Sequence, residues 1–219
     1  MTNNCTICQK VECNITSGFK NEDMPRIKYK SKMKEYYAKA GVKTARYHLV
    51  TNLEEGLAFI NEVGYPVIVK PANSGSSVGI RAAHNREELL DAVDYAISFT
   101  SRVIIEKYVQ KLKEVNCAVL GNYYECEASV CEAPIRSGEI LSYEDKYLGG
   151  GAKGGAKGGV KESRGMHSTV REIPARLPEH QTEFIRTKAV ETFKALACDG
   201  VARIDFMIDE KDQQIYVNE

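Results

Sequence analysis

An α+β fold with antiparallel pairing is what this sequence predicts, on three observations. Extended segments and amphipathic helices follow one another along 219 residues without the strict βαβ alternation of a doubly wound sheet. The extended segments crowd the second half, at Val103 to Tyr108, Val115 to Leu120, Tyr123 to Val130, Val201 to Ile208 and Gln214 to Asn218. A hydrophobic fraction of 43%, with 30 basic and 30 acidic residues, describes a chain able to bury its own core.

Each element has its own signal. Residues 1–24 show neither helical nor strand periodicity and read as a tail or a remnant of something longer. From Ile27 to Ala40, Met33, Tyr36, Tyr37 and Ala40 recur at helical spacing, and Gly41 follows where a helix end favours positive φ. Thr51-Asn52-Leu53-Glu54 reads as a capping box for a helix through Leu57 and Ile60 that stops at Gly64. Tyr65 to Lys70 is a β-branched strand. Asn85-Arg86-Glu87-Glu88 resembles a second capping box, with Leu89, Val93, Ala96 and Ile97 as the buried stripe of the helix it opens. A long helix from about Pro178 to Ala197 is expected to turn Phe184, Ile185, Val190, Phe193 and Leu196 inward. Between Tyr147 and Ser163, the run Gly149 to Gly159 has no apolar side chain large enough to pack and is expected to form a mobile loop or lid.

Composition excludes several function classes. The charges cancel, so there is no basic excess of the kind a nucleic-acid surface needs. The longest apolar runs, such as Val103-Ile104-Ile105, are far too short to span a bilayer, and the N-terminus lacks the pattern of a signal peptide. The expected compartment is the cytoplasm. Cys117, Cys126, Cys131 and Cys198 sit in apolar surroundings and read as small hydrophobes. Cys5, Cys8 and Cys13 form C-x2-C-x4-C, but a closed zinc site needs four ligands and the first histidine is His48, so no metal is expected there.

Three segments carry chemistry. In the first, Val69-Lys70-Pro71-Ala72-Asn73-Ser74-Gly75-Ser76-Ser77-Val78-Gly79, a strand delivers a lysine to a turn of small residues. Backbone N–H groups and hydroxyls there can close around phosphate oxygens while Lys70 adds charge; the pattern is not a Walker loop. In the second, Ile105-Glu106-Lys107-Tyr108-Val109 precedes Glu114. Glu106 could face the amine of a purine and Glu114 the hydroxyls of a ribose, although both also read as surface carboxylates at strand ends. In the third, Ala202-Arg203-Ile204-Asp205-Phe206 turns through Asp209 to Gln213 and returns to Glu219. If that hairpin turns about Asp212, Asp205 and Glu219 lie directly opposite on one face. Two such carboxylates, completed by nucleotide phosphates, suit Mg²⁺, and Arg203 shares their face.

These segments, in this order and spacing, resemble the D-alanine–D-alanine ligase family. The likeness runs through Gly64-Tyr65-Pro66 to Pro71, Gly75 to Gly79, Ile105-Glu106-Lys107, Cys117 to Asn122, Ser142-Tyr143-Glu144-Asp145-Lys146-Tyr147, Ile173-Pro174-Ala175 and Ala202 to Phe206, over roughly residues 28–219. Ala40-Gly41-Val42 and Thr44 to Tyr47 are also similar to other ATP-grasp enzymes, such as carboxylases. The resemblance implies an ATP-grasp fold, two α+β subdomains with antiparallel sheets sandwiching ATP, with the small one over 25–110 and the large one over 111–219. It implies that Lys30 and Lys70 hold phosphates under the loop of Gly75, Ser76 and Ser77, and that Lys146 reaches a phosphate. Glu106, Lys107 and Val109 would contact adenine, and Glu114 the ribose. Asp205 and Glu219 would hold Mg²⁺, with Mn²⁺ an alternative. Arg203 would stabilise the developing oxyanion, and Ser76 and Tyr147 match two of a catalytic trio.

The implied reaction phosphorylates one D-alanine carboxylate, which the amine of a second D-alanine then attacks. The implied partners are ATP and D-alanine, with no nucleic acid and no membrane; a homodimer stays open. The family has an N-terminal domain before the matched region, and beyond the position of Glu219 it continues with an Asn metal ligand and a Gly-rich loop. Another ATP-grasp carboxylate–amine ligase, or a nucleotide-binding fragment without catalysis, are the alternative readings.

Overall fold

The computed structural model describes residues 30–50, 52–73, 78–135 and 171–219. The expected tail, the Gly149–Gly159 stretch and the three N-terminal cysteines lie outside the described residues. The elements in chain order are α1 (Lys30–Lys39), β1 (Tyr47–Val50), α2 (Leu53–Val63), β2 (Val67–Pro71), β3 (Arg81–Ala83), α3 (Arg86–Ile97), β4 (Val103–Lys107), β5 (Leu112–Gly121), β6 (Cys126–Pro134), β7 (Arg171–Glu172), α4 (Glu179–Ala195), β8 (Gly200–Asp209) and β9 (Gln214–Val217). They form two antiparallel sheets, one ordered β1-β4-β2-β3 and the other β7-β6-β5-β8-β9.

Strand parity assigns the faces. In the four-stranded sheet, Val67, Val69, Val103 and Ile105 share a face with Val50 and pack on Phe59, Ile60, Leu89, Ala92 and Ala96 of α2 and α3. Tyr47, Ile68, Lys70, Ile104 and Glu106 fall on the opposite face, because Ile68 pairs with Glu106 and Lys70 with Ile104. In the five-stranded sheet, Val115, Cys117, Val119, Ile204, Phe206 and Ile208 face α4, whose Ile185, Ala189, Phe193 and Leu196 complete that core. Glu114, Asn116 and Ala118, with Met207, Asp205 and Arg203 paired opposite them, occupy the other face.

Helix α1 packs on the five-stranded sheet although its own chain leads into the four-stranded one. Its Met33 and Tyr37 are buried in the core of the five-stranded sheet, together with Val42 just beyond the helix. The segment that follows hydrogen-bonds to both sheets: the Val217 N–H donates to the Lys43 carbonyl at 2.9 Å, and the Lys107 N–H donates to the Arg46 carbonyl at 2.9 Å.

Several local expectations shift. The N-cap of α2 is Asn52, whose side chain accepts from the Glu55 N–H, so the cap sits one residue later than the Thr51 box. Asparagine and threonine both cap, and it is the Asn52 oxygen that reaches the third helical N–H. Asn85 caps α3 as expected, and Glu88 catches the His84 N–H as well as the Asn85 amide. Ile97 and Phe184 are 52% and 42% exposed rather than inward. The buried stripes run through Ala92 and Ala189 instead, and each misassigned residue lies beside its stripe, about 100° round the helix from Ala96 and Ile185. Strand β6 begins at Cys126 rather than Tyr123, because Asn122 to Glu125 form the hairpin turn. There the Asn122 side-chain oxygen accepts from the N–H groups of Tyr124 and Glu125, and Tyr124 is 90% exposed.

That turn depends on Gly121, which has φ +138° and whose hypothetical Cβ would stand 2.2 Å from the Glu125 carbonyl oxygen. Gly41 also has positive φ, but open space surrounds it. Gly41→Ala should therefore cost only the left-handed penalty of roughly 1–2 kcal/mol. Gly121→Ala should cost more, since backbone must move as well. Urea unfolding of both variants checks this, and equal losses would contradict the turn geometry.

Candidate active site

Glu106 lies at the centre of the face opposite α2 and α3. It is no surface carboxylate: its side chain is 2% exposed, as is appropriate only for a paired charge. The Lys34 ammonium donates to its Oε1 at 3.1 Å and to the Thr44 hydroxyl at 3.0 Å, while the Lys70 ammonium pairs with Oε2. Burial alone would push the Glu106 carboxyl up; the Lys70 and Lys34 charges overcome that and hold it below the ordinary carboxylate value. Among the described residues Oε2 has no hydrogen bond beyond the Lys70 ion pair, although a carboxylate oxygen can accept more than one donor.

Lys34 went unnoticed in the sequence. It is 1% exposed, one helical turn after Lys30 on the same side of α1. Burial depresses its ionisation to about 8; Glu106 opposes the shift, and Lys70 and Lys30 add to it. The signal available in the sequence was the Lys30–Lys34 spacing itself, on a helix whose Met33 and Tyr37 form the neighbouring apolar stripe.

Parity separates Lys107 from this group. Its side chain projects to the helix face and donates to the Val63 carbonyl at 2.9 Å, so only its main chain is left to face a ligand beside Glu106. Val109 is buried just beyond β4. Lys30 starts α1 at the end of β2, with its N–H donating to the Ala72 carbonyl at 2.8 Å.

The carboxylates of the hairpin come together by a different route from the expected one. The β8–β9 ladder runs Phe206↔Val217 to Asp209↔Gln214, one residue out of register with a turn about Asp212. Continued regularly, it would set Asn218 opposite Asp205 and send Glu219 to the core side. Instead the Asp205 carbonyl accepts from the N–H groups of both Asn218, at 2.8 Å, and Glu219, at 3.5 Å, and the Asp205 N–H donates to the Glu219 carbonyl at 2.7 Å. Two residues thus oppose one in a bulge, which places Glu219 beside Asp205.

Each carboxylate already holds a cation. Arg203 binds Asp205 through two hydrogen bonds of 2.7 and 2.9 Å, and Lys30 donates to Glu219 at 2.5 Å. Burial pushes the Asp205 carboxyl up; Arg203 resists, and Glu219 and Glu114 push further in the same direction as burial. Glu114 therefore shares the electrostatic field of this pair. The Tyr37 hydroxyl is buried with no hydrogen-bond partner among the described residues; burial first, then the Glu219 charge, pushes its pKa up and disfavours the phenolate. Asn116, directly paired with Asp205, donates its side-chain amide to Glu132 on the same face, a neighbour that motif reading missed.

Gly75, Ser76, Ser77, Lys146 and Tyr147 lie outside the described residues. Among the described residues no three His, Cys, Asp or Glu side chains form a metal cluster. Two carboxylates fit Mg²⁺ only where phosphates supply further oxygens. A groove of about 560 Å³ lined by Lys34, Thr44, Arg46, Tyr47 and Phe59 runs along β1 and contains none of the residues expected to hold nucleotide. No helix among the described residues is long and apolar enough to cross a membrane.

The Lys34 environment predicts a pH signature. Between about 8, its folded value, and 10.5, its ordinary one, the unfolded chain binds a proton there that the folded chain does not. Stability due to this side chain therefore rises with pH across that window. The unfolding free energy of the wild type minus that of Lys34→Met should increase from pH 8 to 10.5, and a flat or falling difference would count against the buried ammonium.

Against known proteins, residues 36–219 match the family described as "D-ala D-ala ligase C-terminus". The D-alanine–D-alanine ligase of Acetivibrio thermocellus is 38% identical over 190 residues, covering 84% of this chain and 46% of that protein. Among solved structures, the VanG D-Ala:D-Ser ligase of Enterococcus faecalis superposes with a TM-score of 0.68 at 26% identity, over 88% of this chain and 51% of that one. The D-alanine–D-alanine ligase of Coxiella burnetii superposes at 0.66 and 22% identity, over 90% of this chain and 48% of that one, a likeness of fold. The chain spans about half the length of the curated relatives it matches. With its family match, its relatives and its paired antiparallel sheets in agreement, the chain belongs to the D-alanine–D-alanine ligase family, as its C-terminal, ATP-grasp part.

Proposed function

We propose that this chain supplies the Mg–ATP site and the charge-stabilising groups of a ligase that joins D-alanine to D-alanine. The observation that carries the reading is the buried carboxylate Glu106, flanked by Lys70 from β2 and Lys34 from α1 on the sheet face opposite α2 and α3. An amine-bearing base suits that carboxylate, and the phosphates attached to the base suit Lys70 and Lys30. Glu114, whose charge acts on Asp205 from the same sheet face, is the residue for ribose hydroxyls. The main chain at Lys107 and Val109 would read the edge of the ring.

Bound Mg²⁺ would neutralise phosphate charge, and Asp205 and Glu219 are the residues to hold it. Their present cations, Arg203 and Lys30, would turn to new anionic partners: Arg203 to the oxyanion developing on the substrate carboxylate, Lys30 to phosphate. Gly75, Ser76 and Ser77 would cover the phosphates, Lys146 would reach them, and Ser76 with Tyr147 would hydrogen-bond in the catalytic trio; these five rest on family likeness. Catalysis of this kind is positioning and charge stabilisation more than covalent chemistry by the protein. The cytoplasm, where ATP is made, is the compartment this reading requires.

Calorimetry tests the nucleotide. Mg–ATP should bind, and Lys70→Ala should lose one charge-assisted contact, about 1.5–3 kcal/mol or roughly 10- to 150-fold in affinity. Mg²⁺ without nucleotide should bind far more weakly than with it, because both carboxylates already carry cations. Equal ATP affinity in wild type and a folded Lys70→Ala would dismiss the assignment. Phosphate release that depends on D-alanine, compared with D-serine and L-alanine, then tests the reaction; nucleotide binding with no acceptor-dependent release would leave a binding module.

A further inference from the structure

Lys70 has two claims on its charge. In the structure it pairs with Glu106; as a phosphate ligand it must leave that carboxylate. A carboxylate 2% exposed does not stay ionised alone, because burial favours its neutral form. Among the described residues the titratable groups facing Glu106 are Lys70 on β2, Tyr47 opposite it on β1 and Lys34 on α1, with Lys30 on the same helix acting on Lys34. Of these, Lys30 is engaged by Glu219, and Tyr47 brings no positive charge. Lys34 remains, fixed at 3.1 Å from Glu106 and anchored by the Thr44 hydroxyl at 3.0 Å. Its own ring neighbour, Tyr47, lies 5.1 Å away and favours the cation further.

We propose that Lys34 is a positioning residue for base recognition: it keeps Glu106 charged and oriented once Lys70 turns to the phosphates, and so sets a preference for adenine over hypoxanthine. The inference rests on the ATP reading above. A charged Glu106 only accepts hydrogen bonds, so it welcomes the amine of adenine and repels the carbonyl that hypoxanthine carries in its place. A neutral Glu106 carries an O–H and can donate to that carbonyl, and the discrimination disappears. Lys34 touches neither substrate nor phosphate in this scheme; it acts through Glu106.

The experiment is titration of the full chain with Mg–ATP and Mg–inosine triphosphate across pH. Wild type should prefer ATP by about tenfold or more, the worth of one charge-assisted hydrogen bond. In Lys34→Met the ratio should fall towards unity at neutral pH and recover as pH rises and Glu106 ionises. Lys34→Arg should keep the preference, and Lys34→Met/Glu106→Gln should lose it at every pH. Weaker binding of both nucleotides by the same factor, with the ratio intact in Lys34→Met, would show a merely structural lysine and overturn the proposal. Should Lys34→Met fail to fold, wild-type titrations in two buffers of different ionisation enthalpy decide. Proton uptake on ATP binding well below one per site is expected at neutral pH, and uptake near one would mean that Glu106 neutralises despite Lys34. Failure to bind either nucleotide would instead overturn the ATP reading, and this inference with it.

Discussion

Glu106 is buried between two ammonium groups, and that pairing fixes three elements against one another. Its carboxylate comes from β4, Lys70 from β2 and Lys34 from α1. A buried ion cluster is a poor source of stability, since apolar residues of equal volume would hold the same space at least as well. Once built, however, it tolerates no missing member, because removing one charge leaves another uncompensated. Helix α1 is therefore held to the four-stranded sheet by charge at Lys34 and to the five-stranded sheet by apolar packing at Met33 and Tyr37. Adjacent stripes of one helix, each at four-residue spacing, perform these two tasks.

The same helix reaches the second half of the site through Lys30 and Glu219. Glu219 is available there because of the bulge at the end of the β8–β9 hairpin. A strand turns alternate side chains to opposite faces, so one extra residue decides whether a carboxylate meets Asp205 or the core. With the bulge, the arrangement holds four charges in two neutral pairs, Arg203 with Asp205 and Lys30 with Glu219. Among these four groups the charges therefore cancel, with each carboxylate answered by one cation.

Where the chain reading and the structure differ, parity and helical angle account for most of it. Lys107 neighbours Glu106 in sequence, yet the pleat sends its side chain to the opposite face, and motif likeness carries no such sign. Ile97 and Phe184 are apolar and nearly in phase with their stripes, but alanines in phase took the buried positions. Hydrophobicity was legible there and orientation was not. Glu106 as a strand-end carboxylate gave no hint of burial, since its partners stand 36 and 72 residues away in the chain, at Lys70 and Lys34.

By itself the sequence determined the α+β class and, among the described residues, the positions of the four helices and of six of the nine strands to within a few residues; the short strands β1, β3 and β7 were not read from it. It also named the residues expected to meet phosphate, base and metal. Those properties are local: side-chain period, capping residues, β-branched runs and small-residue turns act over a few neighbours. Only the tertiary structure decided that Lys34 joins the site, that α1 bridges both cores, and that a bulge turns Glu219 towards Asp205. Each of these depends on long-range pairing, in which register and burial are set by what the rest of the chain packs against. A charge's environment is a property of the folded neighbourhood, and no spacing along the chain encodes it.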